Sequence, residues 1–385
     1  MYLRDASETL ARFSSGFPVI TLTGPRQSGK TTLVRAQFPE KPYVSLENPD
    51  ERDFALCDPR RFLARFPDGA ILDEIQRCPT LFPWLQGVVD ERQRMGEFVL
   101  TGSSQFDLMA GISQSLAGRV GRVELLPLSL PEMNKAGCLP ENLDELLLNG
   151  SYPAIYSRGL KPADWYGNYV ATYLERDVRQ ILQIRDLALF QRFIKLCAAR
   201  SGQLLNLSTL GADCGITGVT ARQWMNVLEA SYLVIRLQPF HRNYGKRLVK
   251  TPKLYFLDTG LAAWLLGIRD IETLSLHPHR GALFETWVVQ EHIKAASNRG
   301  ESPRLSFWRD NVGNEVDLLE ETGLTLTPTE IKSGATFASD WFLGLKRFSS
   351  FAGSNLATPR ILYGGDTSFE REGFRVVGWR DLHST

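Results

Sequence analysis

Only five of the 385 residues are cysteine (Cys57, Cys78, Cys138, Cys197 and Cys214), no two form a CxxC pair, and none has a histidine at zinc-ligand spacing. That excludes a disulfide framework or a zinc site as the organising feature and predicts reduced thiols. Histidine is equally scarce, at five. His277 and His279 flank a proline in a loop, and no Ser-His-Asp grouping stands out. The longest obvious apolar run, LAAWLLGI (Leu261 to Ile268), falls far short of the roughly 20 residues a membrane helix needs. MYLRDASETL has no apolar centre, so no secretory signal is expected and the expected location is cytoplasmic. With a formal net charge of +1, neither sign dominates. This argues against a wholly basic nucleic-acid coat but leaves room for a local basic patch.

At 385 residues the chain exceeds one ordinary core. Strand and helix signals alternate over the first 150 residues, which predicts an α/β unit with a parallel sheet. PVITLT, YVSLEN, AILDEIQ and EFVLTGSS read as strands, and LFPWLQGVVDERQ as a helix before the last of them. Between the first strand and a helical start at TLVRAQF lies GPRQSGKT, a complete G-x-x-x-x-G-K-[ST] loop. Its residues Gly24, Pro25, Arg26, Gln27, Ser28, Gly29, Lys30 and Thr31, followed by Thr32, are candidate nucleotide contacts. The glycines let backbone N–H groups close on phosphate oxygens, Lys30 reaches the terminal phosphates, and Thr31 offers its hydroxyl to Mg2+. Asp73, ending an apolar strand, completes the Mg2+ shell, and Glu74 beside it polarises the attacking water. Ser103 or Ser104 follows the fourth strand, where a polar group faces the γ-phosphate. Arg119 and Arg122 are candidates for an arginine acting in trans, which requires a homo-oligomer, or for plain surface cations.

Helices dominate the middle. In ADWYGNYVATYLERDVRQIL, Tyr166, Tyr169, Val170, Tyr173, Leu174 and Val178 fall near helical spacing and read as core. LSTLGADCGITGVTARQWMNVLEASYLVIRLQPF has a helix-turn-helix rhythm, with a turn at Gly215 to Gly218, Thr217 or Thr220 as a cap, and Arg222 early in the second helix. Five cations (Arg242, Lys246, Arg247, Lys250 and Lys253) then follow without an acidic residue. A hairpin with Gly245 at its tip resembles the wing of a winged helix and suits phosphate contacts; the alternative is a protein-packing module.

The last third reads α-β-β-β-α-β, the order of a restriction-endonuclease-like core. Residues two apart on a strand share a face, so Asp317 pairs with Glu315 and Glu330 with Lys332. A hairpin through Gly323 is expected to converge these faces. Asp317 and Glu330 then hold Mg2+, with Mn2+ as an alternative, Lys332 activates water, and Glu285 on the preceding helix supports the metal. The same site serves either cleavage or gripping of nucleic acid.

The stretches GPRQSGKTTL, LDEIQ, LTGSSQF, LAGR, LLPLS, YLERDV, KLYFLDTGLAAWLLG, GALFETWVV, FWRDNVGNEVD and EIKSG cover nearly the whole chain. They resemble the prokaryotic AAA-type ATPases with a C-terminal DUF4143 domain. The resemblance implies ATP as the nucleotide and an endonuclease-like C-terminal region, although EVD stands where that nuclease signature has PD. The expected architecture is a P-loop AAA-type domain (1–135), a helical and winged-helix domain (136–270) and a nuclease-like domain (271–385). The expected partner is nucleic acid, DNA ahead of RNA, and no membrane. The rival is a signalling or scaffold ATPase with an inactive nuclease-like fold.

Overall fold

The computed structural model describes residues 2–103, 115–172, 186–240, 251–310, 312–352 and 356–383. Strands β1 (Val19–Thr23), β2 (Tyr43–Ser45), β3 (Ala70–Asp73), β4 (Phe98–Gly102) and β5 (Val120–Glu124) form a parallel sheet in the order β2-β3-β4-β1-β5. VITLT, AILD and FVLTG are buried throughout, as strands covered on both faces must be. The sequence predicts four of the five. β5 escapes notice because it is an edge strand, and VGRVE alternates where the others run continuously apolar.

Helices α1 (Ala6–Ser14) and α2 (Lys30–Gln37) cover Ile20, Leu22, Ile71, Val99 and Val123. Helices α3 (Pro49–Cys57), α4 (Pro59–Ala64) and α5 (Leu81–Arg92) cover the other face, on Val19, Ala70, Leu72, Phe98 and Leu100. Strand alternation divides the two sets. Asn48 and Asp58 cap α3 and α4 through Asp50 N and Arg61 N, each with proline as the first helical residue.

The chain leaves this unit through α6 (Leu130–Lys135), started by a reciprocal Ser129–Glu132 capping box. Then come α7 (Leu143–Asn149), α8 (Pro153–Arg158), α9 (Pro162–Tyr169) and α10 (Leu187–Ala198). Tyr166, Tyr169 and Val170 are core residues; Tyr173, Leu174 and Val178 lie outside the described residues. Next are β6 (Gln203–Leu204), α11 (Leu207–Cys214), α12 (Gly218–Ala230), β7 (Val234–Leu237) and β8 (Lys253–Phe256), whose strands form an antiparallel sheet β6-β8-β7. Thr217 caps α12 by accepting from Thr220 N.

After α13 (Thr259–Leu265) and α14 (Ile271–Leu276), the expected α-β-β-β-α-β order is present. It consists of α15 (Arg280–Asn298), β9 (Leu305–Arg309), β10 (Glu315–Thr322), β11 (Thr325–Lys332), α16 (Leu343–Ala352) and β12 (Arg360–Tyr363). A hairpin of β13 (Phe369–Arg371) and β14 (Phe374–Gly378) extends the sheet to β13-β14-β12-β11-β10-β9. One face packs on α15 through Leu318, Ile331, Leu362 and Val377, the other on α16 through Val316, Leu319, Ile361 and Val376. A single apolar cluster runs from Leu126 to Leu382. The segments 136–270 and 271–385, separated in the sequence reading, therefore share one core.

Candidate functional site

Parallel strands deliver their carboxyl ends to one edge of a sheet, and ligands bind in the crevice beyond that edge. Here the edge carries the Gly24–Thr31 loop after β1, Asp73 and Glu74 at the end of β3, and Ser103 after β4. Gly24 (φ 148°) and Gly29 (φ 96°) adopt conformations that side chains disfavour. A Cβ at Gly24 would lie 2.1 Å from Leu125 O, so the loop also needs glycine for space. Lys30 is buried and donates to the carbonyls of Gly24 (2.9 Å) and Pro25 (2.8 Å), folded onto its own loop. Burial pushes its ammonium down to about 8, against the pull of Glu74 and Asp73.

The Thr31 hydroxyl lies 3.2 Å from Asp73 Oδ2, which also accepts from Tyr43 OH at 2.6 Å. Thr101 donates to Asp73 as well. Glu74 has φ 55°, and its Oε2 accepts from Ser103 Oγ at 3.1 Å and from Gln76. Residue Ser104 lies outside the described residues. A hydroxyl beside a carboxylate is a hard-oxygen pair of the kind Mg2+ takes along with phosphate oxygens, so Thr31 and Asp73 fit the ion the loop implies.

The cavity over this edge, about 370 Å3, is closed by a second element. Besides Arg26, Lys30, Thr31, Asp73 and Glu74, its walls include Pro153, Ala154, Ser157 and Arg158 of α8. An adjoining cavity of about 460 Å3 shares Gly29, Thr32, Pro153 and Ser157 and adds Tyr2, Arg4 and Tyr156. Arg158 makes no ion pair among the described residues, so its guanidinium is free for a phosphate. Sequence reasoning missed α8 because nothing in SYPAIYSRG carries a nucleotide signature. Its placement comes from the far side of the chain. Asp258, fully buried, accepts from Ser151 N (2.8 Å), Tyr166 OH (2.6 Å) and Leu261 N (2.8 Å), which fixes the turn that launches α8. Arg4 braces the loop from beneath: its guanidinium donates to Ser28 O (2.8 Å) and Leu126 O (2.6 Å) and lies 3.1 Å from the buried Glu132 carboxylate.

A second link joins the middle of the chain to the loop. Tyr232, between α12 and β7, has φ 58°, a conformation costly for a bulky residue. Its hydroxyl donates to Thr23 Oγ1 at 2.7 Å, one residue before Gly24.

Arg119 stands at the opposite end of β5, where its carbonyl accepts from Val19 N. A five-residue strand places it roughly 13 Å or more from its own loop. It is half-buried and clamps Asp90 through two bonds, at 2.5 and 2.9 Å. Arg122 pairs with Glu124. Neither lines the cavity over the nucleotide edge. Arg222 is exposed on α12 beside Val219 and Gln223. Arg242, Lys246, Arg247 and Lys250, the proposed wing, lie outside the described residues. Lys253 corrects the sequence reading: it is a buried residue of β8, not a surface cation of the wing.

The C-terminal carboxylates do come together, but around a different cation. Lys253 Nζ lies 2.8 Å from Glu285 Oε1, 3.7 Å from Asp317 Oδ1 and in direct ion-pair contact with Glu315. Tyr255, two residues on and on the same strand face, donates to Glu285 Oε1 at 2.6 Å. A register shift between Val316 and Leu319 frees Asp317, whose Oδ2 accepts from Ile331 N at 2.8 Å. Glu330 and Lys332 pair with each other at 2.6 Å. They alternate with Ile331, which belongs to the α15-side core, and pair in register with Ile361 and Tyr363 of the α16-side core. Asp317 thus stands beside the Glu330–Lys332 pair, its charge acting on both, and the cluster also takes in a second lysine, Lys253. Among the described residues, no three carboxylate, imidazole or thiol groups are spaced to hold a metal ion. Burial works against the charge on Lys253, but Glu285, Asp317 and Glu315 outweigh it and hold its ammonium above the ordinary lysine range. Burial, reinforced by Asp317, pushes both Glu285 and Glu330 above the usual carboxylate range.

A phosphate-binding loop, an acidic strand end and a parallel sheet define an AAA-type P-loop ATPase domain. Residues 16–134 match the family described as AAA domain, residues 140–272 a domain of unknown function (DUF8612), and residues 280–382 a domain of unknown function (DUF4143). Two mycobacterial proteins, Rv2008c of Mycobacterium tuberculosis and Mb2031c of Mycobacterium bovis, are each 34% identical over 370 residues, spanning 95% of this chain and 81% of theirs. The chain belongs to their family. Among solved structures, the Walker-type ATPase PABY2304 of Pyrococcus abyssi aligns over 68% of this chain and 94% of its own, at 16% identity and a TM-score of 0.45.

Proposed function

We propose that the chain binds and hydrolyses Mg2+-ATP and that nucleotide occupancy is read by the middle of the chain, which engages nucleic acid. The observation that carries this is the convergence of Lys30, Thr31, Asp73 and Glu74 on one cavity that α8 roofs, with Ser103 bonded to Glu74. Phosphate entry draws Lys30 away from Gly24 O and Pro25 O. Thr31 and Asp73 would hold a Mg2+ ion, which would screen phosphate charge. Glu74 accepts the proton of the attacking water, and Ser103 fixes its carboxylate. Arg158 meets the terminal phosphate from the far wall. The nucleoside occupies the adjoining cavity, between Tyr2 and Tyr156.

The middle unit has the element order of a winged helix: α10, β6, α11, α12, then β7 and β8. α12 offers exposed Val219, Arg222 and Gln223, and the segment that follows β7 carries Arg242, Lys246, Arg247 and Lys250. DNA is the favoured ligand. Arg119 serves a neighbouring copy in this reading, since it is too far to serve its own. Phosphodiester cleavage is left out of the reading because the cation among Glu285, Glu315 and Asp317 is Lys253.

Two measurements test it. Lys30→Ala abolishes nucleotide binding, while Glu74→Gln keeps binding and stops turnover; wild-type rates in both variants refute the ATPase. Neutralising Arg242, Lys246 and Arg247 together weakens DNA binding and flattens its salt dependence, because fewer counterions are released. An unchanged salt slope refutes the nucleic-acid role and leaves the scaffold reading.

A further inference from the structure

A buried cluster of carboxylates needs a positive charge, and a chain can supply it from a metal or from one of its own side chains. The cluster at the head of β10 contains Glu285 from α15 and Glu315 and Asp317 from β10, and all three lie within 4 Å of one ammonium. That ammonium arrives from outside the six-stranded sheet, on β8 of the three-stranded one. The path is rigid. Tyr255 anchors the same strand face to Glu285, and Lys253 Nζ also sits 5.5 Å from the Phe307 ring centroid. Past the end of β7, Phe240 N donates to Phe307 O at 2.6 Å and Phe307 N to Gln238 O at 3.2 Å, so the two sheets are joined by backbone bonds as well. The neighbouring Glu330 has its own lysine, Lys332.

We infer that Lys253 is the resident cation of this cluster, an ionic tie between the middle sheet and the C-terminal sheet that occupies the place a divalent metal would take in a nuclease-like site. The role it assigns is mechanical: the three-stranded and six-stranded sheets move as one body. The inference is independent of the ATPase reading, since it concerns no residue of the nucleotide edge.

Thermal denaturation of the full chain, without nucleotide and with or without millimolar Mn2+, tests it. Wild type is indifferent to Mn2+. Lys253→Met leaves three half-buried carboxylates uncompensated, so it lowers Tm by about 5–10 °C and regains part of that loss when Mn2+ is added. Should Lys253→Met fail to fold, adding Glu285→Gln and Asp317→Asn restores folding, because two of the three charges that needed the lysine are gone and Glu315 is left without either like-charged neighbour. Three outcomes overturn the inference: Lys253→Met as stable as wild type, a triple variant no better folded than the single one, or a Mn2+-dependent rise in wild-type Tm that Asp317→Asn abolishes. The last would show that a metal enters despite the lysine.

Discussion

The phosphate loop holds its lysine at a cost, and pH exposes that cost. Lys30 is fully enclosed, and burial brings its ammonium down to about 8. Triphosphate charges beside Nζ favour the protonated form, so the bound value lies above the free one. The sign follows directly. Below pH 8 the lysine is already charged and binding is insensitive to pH. Above it, binding must first take up a proton, so affinity falls until the bound value is reached. At pH 9, one unit above the free value, about one molecule in eleven carries the charge, and affinity is about tenfold weaker, or about 1.4 kcal/mol. Titrating wild type with a nonhydrolysable fluorescent ATP analogue in Mg2+ between pH 7 and 9.5 measures the slope. Calorimetry in two buffers of different ionisation enthalpy reads the proton uptake at pH 8.5. Affinity that stays flat across the range, or binding without proton uptake, refutes the argument.

Other outcomes follow from single contacts. Arg158→Ala weakens binding of the triphosphate about tenfold and of the diphosphate much less, because the unpaired guanidinium of α8 faces the terminal phosphate; equal losses would place Arg158 elsewhere. Gly24→Ala drives a methyl into Leu125 O and costs about 2 kcal/mol or more, seen as a lower Tm with nucleotide binding lost. Arg4→Ala leaves Glu132 buried without its cation and lowers Tm, whereas Arg4→Ala with Glu132→Gln recovers much of the loss.

The legible and illegible parts of this molecule divide by sequence distance. Lys30, Thr31, Asp73 and Glu74 could be read because a loop between strand and helix and an acidic strand end are local signatures. The order of the C-terminal elements was readable for the same reason. Arg158 and Tyr156 are not, since the start of α8 is held by residues far along the chain, Asp258 and Lys294 on Ser151 among them. Lys253 was read with its sequence neighbours as one more cation of a basic run. What separates it is the strand it starts: β8 is buried throughout, and a buried lysine must find carboxylates. Asp317 and Glu330 lie on adjacent strands as the alternation implies, whereas the register shift in β10 and the arrival of Lys253 leave no mark in the residues of the hairpin.

The continuous apolar cluster bears on how this chain can be dissected in the laboratory. Family boundaries near 272 and 280 suggest cutting there to obtain the last third alone. Such a fragment would present to water part of the apolar surface of α15, where Leu283, Phe284, Trp287 and Val288 share a cluster with Tyr255, Phe256 and Leu261 upstream. It would also carry Glu285, Glu315 and Asp317 into solution stripped of their ammonium. Aggregation of that fragment would say nothing about the fold of the intact protein. Residues 126–382 belong in a single piece, and a cut ahead of Leu126 would still part Glu132 from Arg4 and Tyr232 from Thr23.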